Sequence, residues 1–319
     1  MITIREVTKR FDDQIAVDNL SLNLQKGELC VFVGESGCGK STTLRMINRL
    51  IEPDEGEIEI NGKNVCDYPA EELRRSIGYV VQSTGLFPHM TVRENISVVP
   101  GLLNWDKDRT LERVKELIKL VGLDVASYIN KYPSELSGGE AQRIGVARAL
   151  AADPEIILMD EPFGAVDPLN RTNLQNEFLK IQRKLKKTVI FVTHDIDEAM
   201  KMGDKIAIMS KGKLEGFGTP EEILMSENPF VRSFLGTETY IKILSRYQVE
   251  SCMCSQTTKG VLHSIESGSD LRNALAYMLE TGCQVLNVTN NDEILGQVRL
   301  EDISHMFQKG QKTNENQES

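Results

Sequence analysis

The sequence predicts an α/β fold with a parallel sheet, followed by a smaller α+β unit near the C-terminus. Three apolar runs predict the sheet: residues 29–33 (LCVFV), 156–159 (IILM) and 189–193 (VIFVT). Each run is short and nearly uninterrupted, as in a strand that is covered on both faces. Glycine, acidic residues or histidine follow the runs directly, and the carboxyl ends of parallel strands are where such folds bind ligands. We therefore expect a ligand site at the ends of these strands.

The first run leads into a phosphate-binding loop. Residues 34–41 read GESGCGKS and precede a predicted helix over 42–47. Glycines let successive N–H groups turn towards phosphate oxygens, and the helix N-terminus favours the same anion. Lys40 is expected to reach the outer phosphates, and the Ser41 hydroxyl to coordinate magnesium. The predicted nucleotide-binding residues of this loop are Gly34, Glu35, Ser36, Gly37, Cys38, Gly39, Lys40, Ser41 and Thr42.

A second motif identifies the family. Residues 136–140 (LSGGE), followed by Gln142 and Arg143, resemble the signature of the ATP-binding subunits of ABC transporters. The resemblance covers 1–235 and implies a P-loop NTPase of ABC type, with a mixed sheet core and a helical subdomain at about 84–155. It also implies a head-to-tail homodimer around two ATP molecules, where one copy's signature meets the γ-phosphate bound by the other copy. The signature residues expected to do this are Ser137, Gly138 and Gly139.

Ser137 also has a second interpretation, as an N-cap with Glu140 in the capping-box position. Capping and anion binding use the same N–H groups, so both interpretations stay open. The family resemblance makes Asp160 the magnesium ligand and Glu161 the general base for the attacking water. Alternatively, these two acids cap the turn 162–164. His194 resembles the switch histidine that contacts the γ-phosphate.

Three further residues complete the implied site. Gln82 matches the glutamine that reaches magnesium and water and links the site to the membrane subunit. Asp167 matches the residue that communicates across the dimer. Phe11 stands where the family has an aromatic ring on adenine, although an aromatic residue near the N-terminus is equally typical of a core.

Composition agrees with a protein that reaches membranes through a partner. The 319 residues have a formal net charge of −10, so there is no overall basic footprint for nucleic acid. We find no apolar stretch of about 20 residues, and the N-terminus is typical of a strand rather than of a signal peptide. We expect a peripheral protein at the cytoplasmic face of the membrane, with reduced cysteines; Cys252 and Cys254 lack the further ligands of a zinc site.

The expected partners are transmembrane permease subunits and, indirectly, an extracytoplasmic substrate-binding protein. Residues 84–92 place bulky apolar side chains beside glycine and proline, which is typical of a partner surface. Residues 86–95 resemble bacterial importers, and 46–53 resemble importers of glycine betaine, carnitine and choline. One alternative is an importer for another substrate. Another is a soluble ABC ATPase acting on nucleic acid or ribosomes, but the short helical insertion after residue 106 and the single cassette argue against it.

The C-terminal region resembles one CBS motif. A linker is expected at 236–248 and the motif at 249–307, with a first segment at 249–253, a helix over 271–280, strands at 285–288 and 294–298, and a β-α-β-β-α order. Such motifs ordinarily work in pairs, so two copies of the chain are expected to pair. The module then either regulates transport, with ionic strength or an adenine nucleotide as the signal, or only holds the dimer together. The polar tail 308–319 is predicted to be disordered.

Overall fold

The computed structural model describes residues 1–81, 85–164, 168–236, 241, 243–254, 260–290 and 293–304. It divides into two compact units, 1–219 and 220–319. The predicted tail 308–319 lies outside the described residues. The first unit ends sixteen residues before the limit at 235 that the family resemblance implies, so the domain limits remain a prediction.

The first unit contains two sheets and the helices between their strands. Its strands are β1 (Ile2–Phe11), β2 (Gln14–Leu24), β3 (Leu29–Gly34), β4 (Glu55–Ile60), β5 (Lys63–Asn64), β6 (Ile77–Val80), β7 (Ile156–Asp160), β8 (Thr188–Thr193), β9 (Lys205–Ser210) and β10 (Lys213–Gly218). Its helices are α1 (Lys40–Ile47), α2 (Ala70–Ser76), α3 (Val92–Leu102), α4 (Lys107–Leu120), α5 (Val125–Tyr128), α6 (Gly138–Ala149), α7 (Pro168–Leu185) and α8 (Ile196–Met202).

The larger sheet carries the predicted strands. Its order is β10-β9-β3-β8-β7-β6, parallel throughout except for the antiparallel pair of β9 and β10. Strands β3, β7 and β8 are buried along their whole length, which confirms the prediction from their apolar runs. Because these three strands are neighbours and parallel, their carboxyl ends meet at one edge of the sheet.

The smaller sheet is antiparallel, with the order β2-β1-β4-β5. Its apolar side chains share one core with α1 and with the central strands of the larger sheet. Phe32 of β3, Leu44 of α1 and Ile58 of β4 are fully buried members of this core. This packing fixes α1, and therefore the phosphate loop in front of it, against β3.

The segment between β6 and β7 is helical in its described part. Helices α3, α4 and α6 pack on one another there. The helix expected after residue 106 is present as α4, and the Asp106 carboxylate caps it by accepting from the N–H groups of Asp108 and Arg109. Among the helices of the described residues, none has both the length and the apolarity to cross a bilayer.

The second unit contains α9 (Pro220–Leu224), α10 (Pro229–Leu235), β11 (Ser264–Glu266), α11 (Leu271–Thr281), β12 (Val285–Asn290) and β13 (Glu293–Arg299). Strand β11 pairs parallel with β12, and β12 pairs antiparallel with β13. Helix α11 packs on this sheet through a separate apolar cluster that includes Leu271, Met278 and Leu286. Residues 300–304 are helical, so the predicted order of elements from β11 onwards is present.

The first predicted segment of the C-terminal module is not a strand. Residues 249–251 form a 3-10 turn, and the first strand of this sheet is β11 instead. The side chain and the N–H of Ser251 both donate to the Gln248 carbonyl. Such local bonds satisfy the backbone without a partner strand, which is why an apolar start such as Val249 did not make a strand here.

Candidate nucleotide site

The phosphate loop connects β3 to α1 and contains two glycines, Gly34 and Gly39, at positions where a side chain would not fit. A Cβ on Gly34 would lie 2.1 Å from the Met209 carbonyl oxygen, and a Cβ on Gly39 would lie 2.4 Å from the Ala16 carbonyl oxygen. Gly39 also has a φ of 105°, which L side chains rarely adopt. The loop is therefore clamped between backbone segments that only glycine can approach so closely.

Lys40 turns its ammonium group back into this loop. The residue is 5% exposed, and its Nζ donates to the carbonyl oxygens of Gly34 at 2.7 Å and Glu35 at 2.8 Å. Cys38 Sγ lies 3.5 Å from the same nitrogen. These partners are neutral, so the buried positive charge is suited to an anion such as a phosphate.

Helix α1 begins at Lys40 with Gly39 as its N-cap, and no side chain caps it. The N–H groups of its first turn are thus suited to bind an anionic ligand, together with the positive end of the helix dipole. In the same loop, Glu35, Ser36 and Gly37 are exposed, while Thr42 is half-buried. The geometry fits the predicted role of the loop in holding phosphates.

The two predicted magnesium ligands meet beside this loop. Ser41 Oγ donates to Asp160 Oδ1 at 2.8 Å, although the residues are 119 positions apart in the chain. Neighbouring ligands of an octahedral Mg²⁺ at about 2.1 Å lie roughly 3 Å apart, so this pair fits two adjacent coordination positions. Among the described residues, no group of three or more His, Cys, Asp or Glu side chains could hold a metal ion. Mg²⁺ in nucleotide sites is ordinarily held by one or two side chains plus phosphate oxygens, which is the arrangement this pair offers.

Glu161 and His194 come together at the same edge of the sheet. His194 Nδ1 lies 3.6 Å from Glu161 Oε1, just beyond hydrogen-bond distance. The Glu161 N–H donates to the Val192 carbonyl at 3.0 Å, and the Glu161 carbonyl accepts from the Gly164 N–H at 3.1 Å. The residue has a φ of 44°, a left-handed conformation that costs a non-glycine residue about 1 kcal/mol. The backbone of Glu161 is thus fixed at the end of β7, and its carboxylate lies next to the imidazole.

The signature motif forms the start of α6. Ser137 Oγ accepts from the Glu140 N–H, and the Glu140 carboxylate accepts from the Ser137 N–H at 2.7 Å. The capping box that we expected as one interpretation is therefore present. The Tyr128 hydroxyl also donates to Glu140, and this bond, with those to Ser137, lowers the pKa of Glu140 to about 2.

Within one chain the signature does not complete the phosphate site. Among the described residues, no hydrogen bond of Ser137 reaches the loop around Lys40. Ser137 and Gly138 are exposed, and Gly139 is half-buried. The start of α6 is therefore accessible to a second copy of the chain.

Of the remaining predicted residues, Gln82 and Asp167 lie outside the described residues. Phe11 ends β1 and is 46% exposed, so the interpretation of this ring as core is wrong. Lys9 Nζ lies 5.5 Å from the centre of the ring. The accessible ring is compatible with stacking on adenine, which stays a prediction.

Two polar residues that the sequence did not single out hold the loop before α3. Asn95 is fully buried and hydrogen-bonds the backbone of Phe87, Met90 and Thr91. Arg148 of α6 donates to the Gly85 carbonyl at 2.5 Å. The bond from Arg148 joins residues 63 positions apart, so no local sequence pattern indicates it.

Comparison with known proteins gives one family. A family model described as "ABC transporter" matches residues 17–164. The osmoprotectant import ATP-binding protein OsmV of Salmonella typhimurium is 46% identical, over 99% of this chain and 86% of its own length. The glycine betaine/carnitine/choline transport ATP-binding protein OpuCA of Bacillus subtilis is also 46% identical, over 97% of this chain and 81% of its own length.

Solved structures agree with this result. The ATP-binding cassette MJ0796, in a dimeric post-hydrolysis state bound to ADP and Pi, has a TM-score of 0.61 at 34% identity, over 69% of this chain and 99% of that one. CbiO1 of Clostridium perfringens, part of an ABC transporter complex, has a TM-score of 0.65 at 27% identity, over 71% of this chain and 91% of that one. The relatives are transport proteins, which favours the importer over a soluble ATPase that acts on nucleic acid or ribosomes.

Proposed function

Because the chain belongs to the family of ABC transporter ATP-binding subunits, we propose that it powers a bacterial importer of quaternary-amine osmoprotectants such as glycine betaine, carnitine or choline. The contact of Ser41 with Asp160, beside the buried ammonium of Lys40, supports nucleotide hydrolysis at the end of β3. The similarity to osmoprotectant import proteins over nearly the whole chain supports the substrate class.

In this proposal Lys40 and the N–H groups at the start of α1 bind the β- and γ-phosphates of ATP. Ser41 and Asp160, with Gln82, hold Mg²⁺, which when bound neutralises charge on those phosphates. Phe11 stacks on the adenine ring. Phosphoryl transfer requires mainly positioning and charge stabilisation, which these groups supply.

Glu161 acts as the general base. Its carboxylate orients the attacking water and accepts the proton that the water loses. His194, 3.6 Å away, contacts the γ-phosphate and keeps the water and the phosphate in line. The left-handed backbone and the hydrogen bonds of Glu161 set the position of its Cα before the substrate binds, which reduces the reorganisation needed at the moment of reaction.

The second copy completes each site. Ser137, Gly138 and Gly139 at the start of one copy's α6 bind the γ-phosphate held by the other copy, and Asp167 communicates between the two sites. ATP therefore closes a head-to-tail homodimer, and hydrolysis reopens it. The exposure of Ser137 and Gly138 at the start of α6 supports this arrangement.

The motion is passed to transmembrane permease subunits at the cytoplasmic face of the membrane, where this subunit is peripheral. The exposed Phe87 and the loop before α3 form the contact, as the family resemblance implies. An extracytoplasmic binding protein delivers the substrate and meets this subunit only through the permease.

The C-terminal unit adds regulation in this proposal. Its α11 and the sheet of β11, β12 and β13 form one CBS-like module, and two copies pair in the homodimer to sense ionic strength or to bind an adenine nucleotide. Deletion of everything beyond Leu235 tests this role. Transport by the truncated subunit should lose its dependence on salt or nucleotide, whereas an unchanged dependence leaves the module with dimerisation alone.

The function is tested by uptake of labelled glycine betaine, carnitine and choline into cells without other uptake systems for them. The cells express the cognate permease with either the wild-type subunit or Glu161→Gln. We expect uptake of at least one of the three with the wild type and none with Glu161→Gln. Equal uptake with both subunits would show that ATP hydrolysis by this subunit does not power the transport. Transport of only an unrelated solute would overturn the substrate class.

A further inference from the structure

A buried carboxylate lies four residues after the predicted switch histidine in the chain. Glu198 of α8 is 6% exposed, and each of its oxygens accepts a hydrogen bond. Oε2 accepts from the Thr193 hydroxyl at 2.6 Å, and Oε1 accepts from the Gln175 side-chain amide at 3.1 Å. Burial raises the pKa of Glu198 above its ordinary value. The hydrolytic steps proposed above do not use this group.

The bond between Thr193 and Glu198 joins residues on either side of His194 in the chain. Thr193 is the last residue of β8 and directly precedes the histidine. Its Oγ1 donates to Glu198 and also accepts from the Asp195 N–H at 3.1 Å, so the residues on both sides of His194 are joined through one hydroxyl. Asp195 in turn caps α8 through the N–H groups of Asp197 and Glu198.

The second bond ties this turn to α7. Gln175 of α7 is itself buried, and its side-chain oxygen accepts from Lys201 Nζ at 3.1 Å. One turn earlier on the same face of α7, Arg171 Nη1 lies 3.9 Å from the Asp195 carboxylate. The His194 turn, residues 193–198, is therefore held against α7 at two points, through Asp195 and Glu198. Helix α7 begins immediately after Asp167.

Stability alone does not account for a carboxylate in this position. Burial of a charge costs several kcal/mol, and apolar residues of similar volume often stabilise a core at least as well. A fully hydrogen-bonded buried network does, however, restrict the conformations of the groups it joins. The network thus restricts the segment 193–198, in which His194 lies 3.6 Å from Glu161.

We propose that Glu198 is a positioning residue for ATP hydrolysis, which fixes the His194 turn relative to Glu161 and joins that turn to α7. The proposal rests on the role of His194 given above. It predicts that loss of the Glu198 bonds lowers kcat through His194 and leaves the binding of ATP unchanged.

The experiment compares Glu198→Gln with the reciprocal double variant Glu198→Gln/Gln175→Glu. In the single variant the amide at position 198 has one acceptor oxygen for two donors, the Thr193 hydroxyl and the Gln175 amide, so one of these two bonds is lost. In the double variant a donor again faces an acceptor, and Lys201 keeps a side-chain oxygen at position 175. We expect kcat to fall about tenfold in the single variant, with KM for ATP unchanged, and to return within about twofold of wild type in the double variant.

His194→Ala supplies the readout that separates positioning from general stability. We expect His194→Ala to lower kcat, and Glu198→Gln to cause no further loss in that background. Multiplied losses, or no recovery in the reciprocal variant, would overturn the role of Glu198 while leaving the function intact. Wild-type turnover by His194→Ala would instead show that the assignment of His194 is wrong, and the proposal with it.

A second pair of variants covers a failure of Glu198→Gln to fold. Thr193→Val removes the hydroxyl but keeps the shape of the side chain, and Thr193→Ser keeps the hydroxyl. We expect kcat about tenfold lower for Thr193→Val and near wild type for Thr193→Ser, with KM for ATP unchanged in both. Equal kcat values for the two variants would contradict the proposal.

Discussion

Asn95 should contribute most of the free energy that holds the loop before α3. Its Oδ1 accepts from the Phe87 N–H at 2.8 Å, and its Nδ2 lies 3.2, 3.0 and 3.0 Å from the carbonyl oxygens of Phe87, Met90 and Thr91. An amide nitrogen has two hydrogens, so these four contacts amount to about three hydrogen bonds. The side chain is fully buried, so water cannot replace it as a partner.

Asn95→Ala removes all of these bonds. At about 1 kcal/mol for each net hydrogen bond, the free energy of unfolding of the first unit should fall by about 3 kcal/mol. For a unit of this size that corresponds to a decrease of roughly 6–12 °C in Tm. Thermal unfolding followed by circular dichroism measures the change.

Ser97→Ala is the matched control on the same helix. The Ser97 hydroxyl donates only to the Arg93 carbonyl of its own helix, at 2.7 Å, among the described hydrogen bonds. Its removal should change the free energy of unfolding by less than about 0.5 kcal/mol. If Asn95→Ala and Ser97→Ala lower Tm equally, the inference that Asn95 anchors the loop is wrong.

Three further predictions concern the nucleotide site and the signature helix. Glu161→Gln should lower ATP turnover by at least about 100-fold while ATP binding is kept, as phosphate release and nucleotide binding would measure; normal turnover would remove Glu161 from its role. Gly39→Ala should abolish ATP binding, because its Cβ would meet the Ala16 carbonyl at 2.4 Å; unchanged affinity for a fluorescent ATP analogue would contradict this. Tyr128→Phe removes the main cause of the lowered pKa of Glu140. The stabilisation that goes with this lowered pKa is present above the ordinary pKa of 4.5 and is lost as the pH falls towards 2. The variant should therefore be less stable than wild type near pH 7, by a small amount because solvent screens this pair, and the difference in Tm should vanish near pH 2; a difference that grows in acid would refute it.

The parts of the site that lie within one local stretch were predictable from the sequence. The strand, loop and helix around Lys40 follow from an apolar run, closely spaced glycines and a helix start, all within 20 residues. The same holds for Asp160 and Glu161, because a buried strand delivers them directly to the edge of the sheet. The capping box of Ser137 and Glu140 was visible as a three-residue spacing.

Contacts between distant segments were not predictable in the same way. The approach of Ser41 to Asp160 followed only from the family resemblance, and the bond between Gln175 and Glu198 joins two helices whose packing no local pattern sets. At Val249, by contrast, a prediction from a local pattern was wrong. Its apolar pattern suited a strand, but one side-chain bond and one backbone bond from Ser251 to the Gln248 carbonyl formed a 3-10 turn instead.

The most direct test of a site shared between two copies measures how much ATP stays bound to the Glu161→Gln variant during gel filtration in the presence of Mg²⁺. We expect about one ATP per chain, eluting with a dimer, because the start of α6 from one copy closes over the phosphates of the other. The second arm adds Ser137→Asp, which keeps an N-cap acceptor for α6 but places a negative charge against the γ-phosphate. This variant should fold normally and lose the retained ATP. Equal retention with Ser137→Asp, on a chain that elutes as a monomer, would contradict the shared site.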